Sequence, residues 1–244
     1  MTDTIDKSAR RVRSMFGQIA RRYDLLNHLL SLGIDRRWRR RAVRLTPPEG
    51  DSPILDVCTG TADLAIDYWR ASNERTPIFG IDFCRPMLQR GAEKLFRLGA
   101  SHRVRLLEGD ALALPFFDNC FQLVCVAFGL RNVSDPDRGL AEMARVCRPG
   151  GRVAVLEFSM PHRWPFGALY RFYFRHLLPR IGQSLADNDQ QAYQYLPQTV
   201  QSFPQGQAFL ERMADAGLDR LQRHPFSGGI ATLYVGRKSA RPAT

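Results

Sequence analysis

The feature that most constrains the fold is a short segment in which an apolar strand passes through a tight turn into a helix. It covers residues 53–65, with the sequence Pro-Ile-Leu-Asp-Val-Cys-Thr-Gly-Thr-Ala-Asp-Leu-Ala. The apolar run predicts a strand, and a glycine followed by helix formers predicts a turn and a helix. In an open α/β sheet, ligands bind beyond the carboxyl ends of such strands, where glycine lets the backbone come close. The segment therefore predicts a small-molecule site in an α/β protein.

The residues around this turn indicate which ligand it suits. Gly60 is the only glycine of the segment, so the G-x-G-x-x-G spacing of a dinucleotide site is absent. Asp56 would repel a diphosphate and suits a cationic ligand. Asp82 ends the next apolar run, where a carboxylate accepts hydrogen bonds from both ribose hydroxyls. S-adenosylmethionine is a nucleoside with positive charge and no phosphate. An ordinary strand–turn–helix junction with two solvated carboxylates stays open as the alternative.

Apolar runs alternate with amphipathic helical segments and predict five strand–helix units followed by an antiparallel hairpin. This order predicts an α/β fold with an open, mostly parallel sheet of seven strands, preceded by added N-terminal helices. The second predicted strand ends at Asp82. The third, fourth and fifth cover Val104–Glu108, Phe121–Ala127 and Arg152–Leu156, and the hairpin turns at Phe226-Ser227-Gly228-Gly229.

The length of 244 residues suits one domain with additions. We expect a helical extension over residues 1–50, a main domain over 51–238 with a helical lid at about 160–204, and a flexible tail over 239–244.

No apolar run is long enough to span a bilayer, which predicts a cytoplasmic protein. The five cysteines form no C-x-x-C pair and predict reduced, buried thiols and no metal site.

The net charge of +11 is concentrated near the N-terminus, where residues 1–50 hold 12 Lys and Arg against 5 Asp and Glu. Residues 158–186 contain no acidic residue and mix aromatic side chains with arginine. The charge fits either anionic lipid headgroups or nucleic acid. For the aromatic segment, a membrane interface, an apolar substrate tunnel, a base-stacking surface and a lid packed on the sheet all stay open.

Two later strand ends carry further candidate site residues. Asp110 and Ala111 follow the third strand, where a carboxylate beside a small residue can hold an adenine amino group and leave room for the ring. Alternatively, Asp110 caps a short helix. Arg131 and Asn132 follow the fourth strand, at the edge where catalytic side chains collect. Alternatively, Arg131 pairs with a surface carboxylate.

Together these residues resemble the menaquinone and ubiquinone biosynthesis C-methyltransferases, a branch of the class I S-adenosylmethionine-dependent, Rossmann-like fold. The resemblance runs from about Val12 to Lys238 and is most specific in Phe128–Val133 combined with Glu157-Phe158-Ser159. Further matches are Met15-Phe16, Ile19-Ala20, Tyr23-Asp24, Asn27, Ser31, Trp38, Leu55-Asp56, Gly60-Thr61, Asp82, Met87-Leu88, Asp110-Ala111, Leu114-Pro115-Phe116, Arg145-Val146 and Pro149-Gly150-Gly151. The chain departs from the family pattern at Asp35 (often His), Cys58 and Ala62 (a glycine-rich turn), Ala127 (Ser in some members) and Cys147 (usually aliphatic).

The resemblance implies S-adenosylmethionine as cofactor and methyl transfer to a ring carbon of a polyprenylated demethylmenaquinol, giving menaquinol. A benzoquinol of the ubiquinone pathway is the alternative acceptor. The implied cofactor-binding residues are Asp56, Gly60, Thr61, Asp82, Phe83, Asp110, Ala111 and Ala127. We expect Arg131 to stabilise the phenolate electrostatically, because arginine is a poor proton acceptor, and Asn132 to orient the hydroxyl or a relaying water.

A prenylated quinol resides in the bilayer, so the resemblance also implies peripheral contact with the inner face of the membrane. We expect the basic N-terminal helices and residues Trp164–Phe174 to form the contacting surface. No nucleic-acid partner is expected. An RNA methyltransferase and a nucleoside-binding regulatory domain remain competing functions, although the N/D-P-P-Y/F tetrapeptide of amino-directed methyltransferases is absent. Prenyl length and oligomeric state, a homodimer included, stay open.

Overall fold

A seven-stranded sheet organises the computed structural model, which describes residues 8–20, 33–161 and 190–239. The strands are β1 (Ile54–Val57), β2 (Ile78–Asp82), β3 (Val104–Glu108), β4 (Phe121–Ala127), β5 (Cys147–Phe158), β6 (Leu218–Phe226) and β7 (Ala231–Lys238). Their order across the sheet is β3-β2-β1-β4-β5-β7-β6. Strands β1 to β5 pair in parallel, and β7 is antiparallel to both β5 and β6. The predicted mostly parallel sheet with a C-terminal hairpin is confirmed.

Two of the seven described α-helices show clear capping residues, at the start of α5 and after the end of α7. They are α1 (Ala9–Ile19), α2 (Ile34–Leu45), α3 (Asp63–Ala71), α4 (Arg85–Arg97), α5 (Pro136–Val146), α6 (Gln190–Ser202) and α7 (Gln207–Asp215). Before α5, the Asp135 side chain accepts a hydrogen bond from the Arg138 N–H at 3.0 Å, and Pro136 occupies the first turn. Gly217 follows α7 with a φ of 84°, a left-handed conformation that glycine adopts without strain.

The chain reverses its direction across the sheet at β1. This strand pairs with β2 on one side and with β4 on the other, with Val57 beside Ile81 and Asp56 beside Cys125. The carboxyl ends of all three parallel strands therefore lie at one edge of the sheet. In open α/β sheets this switch point is where ligands bind.

Helices cover both faces of the sheet, and the core is split accordingly. On one face, Ile54 and Leu123 pack with Trp38 and Tyr68 of α2 and α3, and on the other face Leu55 and Val124 pack with residues of α5 and α7. Successive strand residues point to opposite faces, so a strand covered on both sides is apolar throughout. The sequence of β4 is apolar except for Gln122 for this reason.

Two sequence expectations differ from the structure. Residues 109–120 contain no helix, so one of the five predicted strand–helix units lacks its helix, and Asp110 closes a turn by accepting a hydrogen bond from the Leu112 N–H at 2.9 Å. Strand β5 begins at Cys147 and not at Arg152, because Cys147 pairs with Phe121 before the register shifts. Pro149, Gly150 and Gly151 lie in this irregular part at the start of β5.

Several predicted features lie wholly or partly outside the described residues. Of the expected lid, residues 160–161 and 190–204 are described, and α6 covers most of the second part. The motif residues Tyr23-Asp24, Asn27 and Ser31, the segment Trp164–Phe174, and the tail after Ser239 fall outside. All five thiols are free. Among the helices that the structure describes, none has the length and apolarity of a membrane span.

Candidate active site

A cleft of about 780 Å³, counting the part open to solvent, lies where β1, β2 and β4 end. The sequence-predicted residues that line it are Gly60, Asp82, Phe83, Asp110, Ala111, Ala127 and Asn132. The predicted residues that do not line it are Asp56, Thr61 and Arg131. The strand ends thus bring most of the predicted site together, and three side chains turn away from the cleft.

Asp82 provides a fixed carboxylate at the end of β2. Its Oδ2 accepts a hydrogen bond from the Gly60 N–H at 2.9 Å, and its Oδ1 accepts one from the Cys84 N–H at 2.8 Å. The side chain is 8% exposed, and burial raises its pKa to about 6 despite these amide bonds. The carboxylate is therefore held in one orientation at the cleft and suits a ligand that donates hydroxyl hydrogens, such as a ribose diol.

The turn after β3 forms a narrow, partly apolar end of the cleft. Ala111 is buried, Asp110 is exposed, and both line the cleft with Ile81. A Cβ at Gly109 would lie 2.6 Å from Ile81 Cδ1, so a larger residue here would require the Ile81 side chain to move. A flat ring with an amino group at its edge suits a slot with apolar walls and a carboxylate at its opening.

The turn after β1 carries unusual backbone strain. Cys58, Gly60 and Ala62 all have positive φ, at 53°, 56° and 66°. For residues with a Cβ this left-handed conformation costs about 1–2 kcal/mol. Cys58 and Ala62 are the two positions where the chain departs from the glycine-rich family pattern. The geometry explains why glycine is common there.

Asp56 supports this turn from behind the cleft. Its Oδ2 accepts hydrogen bonds from the Thr59 hydroxyl at 2.6 Å and from the Ala65 N–H at 3.2 Å. The residue is 1% exposed, and burial raises its pKa to about 7. Strand β1 is enclosed on both faces, so the carboxylate is directed into the turn. The expected direct contact between Asp56 and a cationic ligand is not what this geometry provides.

Thr61 also turns away from the cleft, toward α4. Its hydroxyl accepts a hydrogen bond from Lys94 Nζ at 2.9 Å, and the residue is buried. In this structure the Thr61 side chain holds the turn through Lys94, and the residue does not line the cleft.

The loop after β4 places an amide group in the cleft. Phe128 has a φ of 58°, and its carbonyl oxygen accepts hydrogen bonds from Arg131 Nη1 and, at 3.4 Å, from Asn132 Nδ2. The Asn132 Oδ1 atom is buried and has no hydrogen-bond partner among the described residues. A buried carbonyl oxygen without a partner is costly, and a bound donor would remove that cost.

Arg131 lies behind this loop with a buried counter-ion. It is 7% exposed, its Nη1 lies 2.9 Å from Glu157 Oε2, and its backbone N–H donates to Glu157 Oε1 at 3.2 Å. The guanidinium carbon also lies 5.1 Å from the centre of the Phe158 ring. The alternative prediction, that Arg131 pairs with a carboxylate, is therefore correct, but this carboxylate is buried and not at the surface.

Sequence reasoning missed two contributions to the site. Glu157 was matched only as part of a motif, and its pairing with Arg131 has no signal in the sequence. The N-terminal extension also reaches the site, because Phe16 of α1 lines the cleft and the Trp38 ring of α2 lies 6.1 Å from that of Phe128. The apolar periodicity of residues 6–43 predicted helices but not their place on the cleft.

The sequence matches the ubiE/COQ5 methyltransferase family over residues 3–238. The chain belongs to this family. A ubiquinone/menaquinone biosynthesis C-methyltransferase UbiE from a Geobacter species is 43% identical over 234 residues, covering 96% of this chain and 99% of the relative. A demethylmenaquinone methyltransferase from Thermus thermophilus is 46% identical over 225 residues, covering 91% and 99%.

Solved structures support the fold of this ubiE/COQ5 family member. A SAM-dependent methyltransferase from Thermotoga maritima has a TM-score of 0.63 at 16% identity and covers 93% of this chain and 100% of its own. Phosphoethanolamine N-methyltransferase 2 of Haemonchus contortus, solved with S-adenosyl-L-methionine, has a TM-score of 0.61 at 14% identity and covers 82% and 52%. The Rossmann-like methyltransferase fold that the sequence implied is confirmed.

Proposed function

We propose that this chain is an S-adenosylmethionine-dependent C-methyltransferase that methylates a ring carbon of a polyprenylated demethylmenaquinol in the last step of menaquinone biosynthesis. The observation that carries the proposal is the presence of two different ends in one cleft. One end has Asp82 and Asp110, which suit a nucleoside, and the other has Asn132 between apolar residues. The names of the relatives support both the reaction and the acceptor class.

The residues of the cleft fit the cofactor. Asp82 would accept hydrogen bonds from the ribose hydroxyls, and Asp110 with Ala111 would hold the adenine. Gly60 and Ala127 line the same cleft and leave room for the ligand beside the backbone. When bound, S-adenosylmethionine supplies an electrophilic methyl group attached to a sulfonium. The cleft lacks the glycine spacing that a pyrophosphate requires, so it favours a nucleoside without phosphates.

The acceptor end of the cleft fits a quinol ring. Phe128 and Val133 offer apolar contact, and Asn132 Oδ1 is a buried acceptor that has no partner in the part of the chain that the structure describes. We assign to Asn132 the hydrogen bond from a ring hydroxyl, which fixes which carbon faces the methyl donor. A phenol ring carbon becomes strongly nucleophilic when the neighbouring hydroxyl loses its proton. The amide oxygen of Asn132 orients that hydroxyl and is too weak a base to take the proton itself.

Arg131 receives a different role from the one that the sequence suggested. Its charge is compensated by Glu157, and its side chain holds the carbonyl oxygen of Phe128. A paired cation behind the loop contributes little direct stabilisation to a phenolate in the cleft. We therefore assign Arg131 to positioning the loop that carries Asn132.

The function is tested by offering the purified chain three acceptors with labelled S-adenosylmethionine. The acceptors are a short-chain demethylmenaquinol in detergent, a demethylated benzoquinol of the ubiquinone pathway, and bulk RNA. We expect label in the naphthoquinol product, identified by mass spectrometry. Label only in the benzoquinol would assign the ubiquinone pathway, and label only in RNA would contradict the proposal.

We further propose that the enzyme works in the cytoplasm at the inner face of the membrane, with helix α2 contacting anionic lipid headgroups. The outward side of α2 carries five exposed arginines, at positions 36, 37, 40, 41 and 44. The opposite side is buried through Trp38, Ala42 and Val43. Residues three and four apart share a helix face, so the arginines form one continuous basic stripe. A lipid-soluble acceptor makes a membrane the partner that suits this stripe best.

Vesicle sedimentation tests the membrane proposal. The triple variant Arg36→Gln/Arg40→Gln/Arg44→Gln removes one row of the stripe, and Arg97→Gln/Arg103→Gln/Arg105→Gln removes three exposed arginines near the β3 edge as a matched control. We expect the α2 variant to bind phosphatidylglycerol vesicles about a hundredfold more weakly and the control to bind normally. Equal binding of the two variants, or tighter binding to RNA than to vesicles, would contradict the proposal.

A further inference from the structure

A buried arginine joins the N-terminal extension to the main domain. Arg39 of α2 is 9% exposed, and its guanidinium faces carboxylates from two helices. Nη1 lies 2.8 Å from Asp35 Oδ2 of the same helix, and Nη2 lies 2.9 Å from Asp63 Oδ2 of α3. Nε lies 3.6 Å from Asp67 Oδ2, also of α3. Arg39 therefore fixes α2 against the first two turns of α3.

The same network continues into the turn that lines the cleft. The second oxygen of Asp63 lies 2.5 Å from Lys94 Nζ of α4, and this ammonium also donates to the Thr61 hydroxyl at 2.9 Å. Thr61 follows Gly60, whose N–H donates to Asp82. Polar contacts on either side of the peptide bond between Gly60 and Thr61 thus connect Arg39 to the carboxylate at the cleft.

We propose that Arg39, Asp63 and Lys94 are positioning residues that set the affinity of the cleft for the cofactor through the turn at Gly60 and Thr61. This inference rests on the proposed function. In this arrangement α2 packs Trp38 against Phe128 at the acceptor end of the cleft. The position of α2 also determines the placement of the turn at the nucleoside end. The two substrates of the reaction are then coupled through the N-terminal extension.

Stability alone does not account for this network. A buried ion pair is often no more stabilising than well-packed apolar residues, which leaves room for a positioning role. Asp35, at a position where the family often has histidine, adds a third carboxylate around Arg39. The carboxylates outnumber the arginine, and Lys94 supplies the second cation at the turn itself. The charges are therefore arranged to hold the turn.

Arg152 offers a matched comparison within the chain. It is also buried, at 6% exposure, with Nη1 3.1 Å from Glu49 Oε1 and a hydrogen bond to the Pro47 carbonyl. It pairs with Leu123, which lies beside Ile54, the first residue of β1. Arg152 therefore lies at the opposite edge of the sheet from the cleft. The same substitution at Arg39 and at Arg152 separates a loss of positioning from a loss of buried charge.

The test compares Arg39→Met with Arg152→Met in the full chain. Calorimetry with S-adenosylhomocysteine measures cofactor affinity without an acceptor, and thermal denaturation measures stability. We expect Arg39→Met to raise the Kd about tenfold and Arg152→Met to leave it within twofold, at similar losses of Tm. Arg39→Lys, which keeps the charge, should restore part of the affinity. A change below threefold in Arg39→Met, with a Tm loss like that of Arg152→Met, overturns the inference.

A second pair of variants tests the inference if Arg39→Met folds poorly. Asp63→Asn keeps the volume and removes the charge that joins Arg39 to Lys94. If the contacts act in series, Asp63→Asn and Lys94→Met each weaken cofactor binding, and the double variant is no weaker than the worse single variant. Fully additive losses, or no loss, contradict the inference. A wild-type chain that binds no nucleoside would instead contradict the proposed function.

Discussion

The Arg131 guanidinium lies 2.9 Å from the Glu157 carboxylate, and the two side chains are 8% and 1% exposed. One Glu157 oxygen also accepts the Arg131 backbone N–H, and the other accepts that of Phe158. The pair therefore joins the end of β5 to the loop after β4, which carries Asn132. This arrangement makes the buried ion pair part of the frame of the active site.

Replacing Glu157 with Gln should lower the free energy of unfolding by about 3 kcal/mol, because it leaves the Arg131 cation buried without a counter-ion. Urea denaturation measures this loss. The double variant Arg131→Met/Glu157→Gln removes the unpaired cation and should be more stable than Glu157→Gln alone. A double variant that is less stable than both singles would show that the charge pairing is not the cause.

Substitutions at Gly129 and Cys58 should compensate for each other, because the two residues are in close contact beside the cleft. A Cβ at Gly129 would lie 2.4 Å from Cys58 Cβ, so Gly129→Ala forces the two loops apart. We expect Gly129→Ala to cost about 1–3 kcal/mol of stability and to weaken S-adenosylhomocysteine binding. Adding Cys58→Gly removes the opposing atom and suits the positive φ at that position, so the double variant should recover much of both losses.

Thermal denaturation and calorimetry of the two single variants and the double variant check this exchange. If Cys58→Gly and Gly129→Ala act additively in both measurements, the close contact is not what makes glycine necessary at residue 129.

The sequence was sufficient to place most of the cleft because parallel strands end at one edge of a sheet. Asp82, Asp110 and Asn132 each follow a predicted strand, so their proximity follows from topology alone. The direction in which a side chain points does not follow from the strand topology. Asp56 lies within β1, which is enclosed on both faces. Its carboxylate therefore bonds to the turn after β1 and does not line the cleft.

The partners of long side chains were the other part that the sequence could not supply. Glu157 and Arg131 are 26 residues apart, on different elements, and no local pattern relates them. Arg39 shows the same limitation, because its spacing from Asp35 is helical but its contacts with α3 depend on how two helices pack. The missing helix between β3 and β4 has a local cause, since Asp110 satisfies a backbone N–H two residues on and closes a turn.

The stability contributed by Asp56 should depend on pH. Burial raises its pKa from 3.8 to about 7. The folded chain therefore binds this proton more tightly than the unfolded chain, so the contribution is complete below about pH 4 and is lost as the pH rises to about 7. The stability difference between wild type and Asp56→Asn should fall across this range with a slope of up to about 1.4 kcal/mol per pH unit.

Urea denaturation of both proteins at half-unit steps between pH 4 and 8 measures that difference, and subtraction removes the titration of the other groups. A difference that stays constant, or that grows with pH, would show that the Asp56 pKa is not raised in the folded chain.

Asn132 should affect turnover but not cofactor affinity. Its Oδ1 is a buried acceptor at the acceptor end of the cleft, with no hydrogen-bond partner within residues 8–20, 33–161 and 190–239, whereas Asp82 and Asp110 lie at the other end. Asn132→Leu keeps the approximate volume and removes the hydrogen bond to a ring hydroxyl, so kcat should fall about a hundredfold while the Kd for S-adenosylhomocysteine stays within twofold. Steady-state kinetics with a short-chain demethylmenaquinol and calorimetry measure the two quantities. Unchanged kcat would remove Asn132 from the mechanism, and an equal loss of cofactor affinity would instead assign its hydrogen bond to the nucleoside.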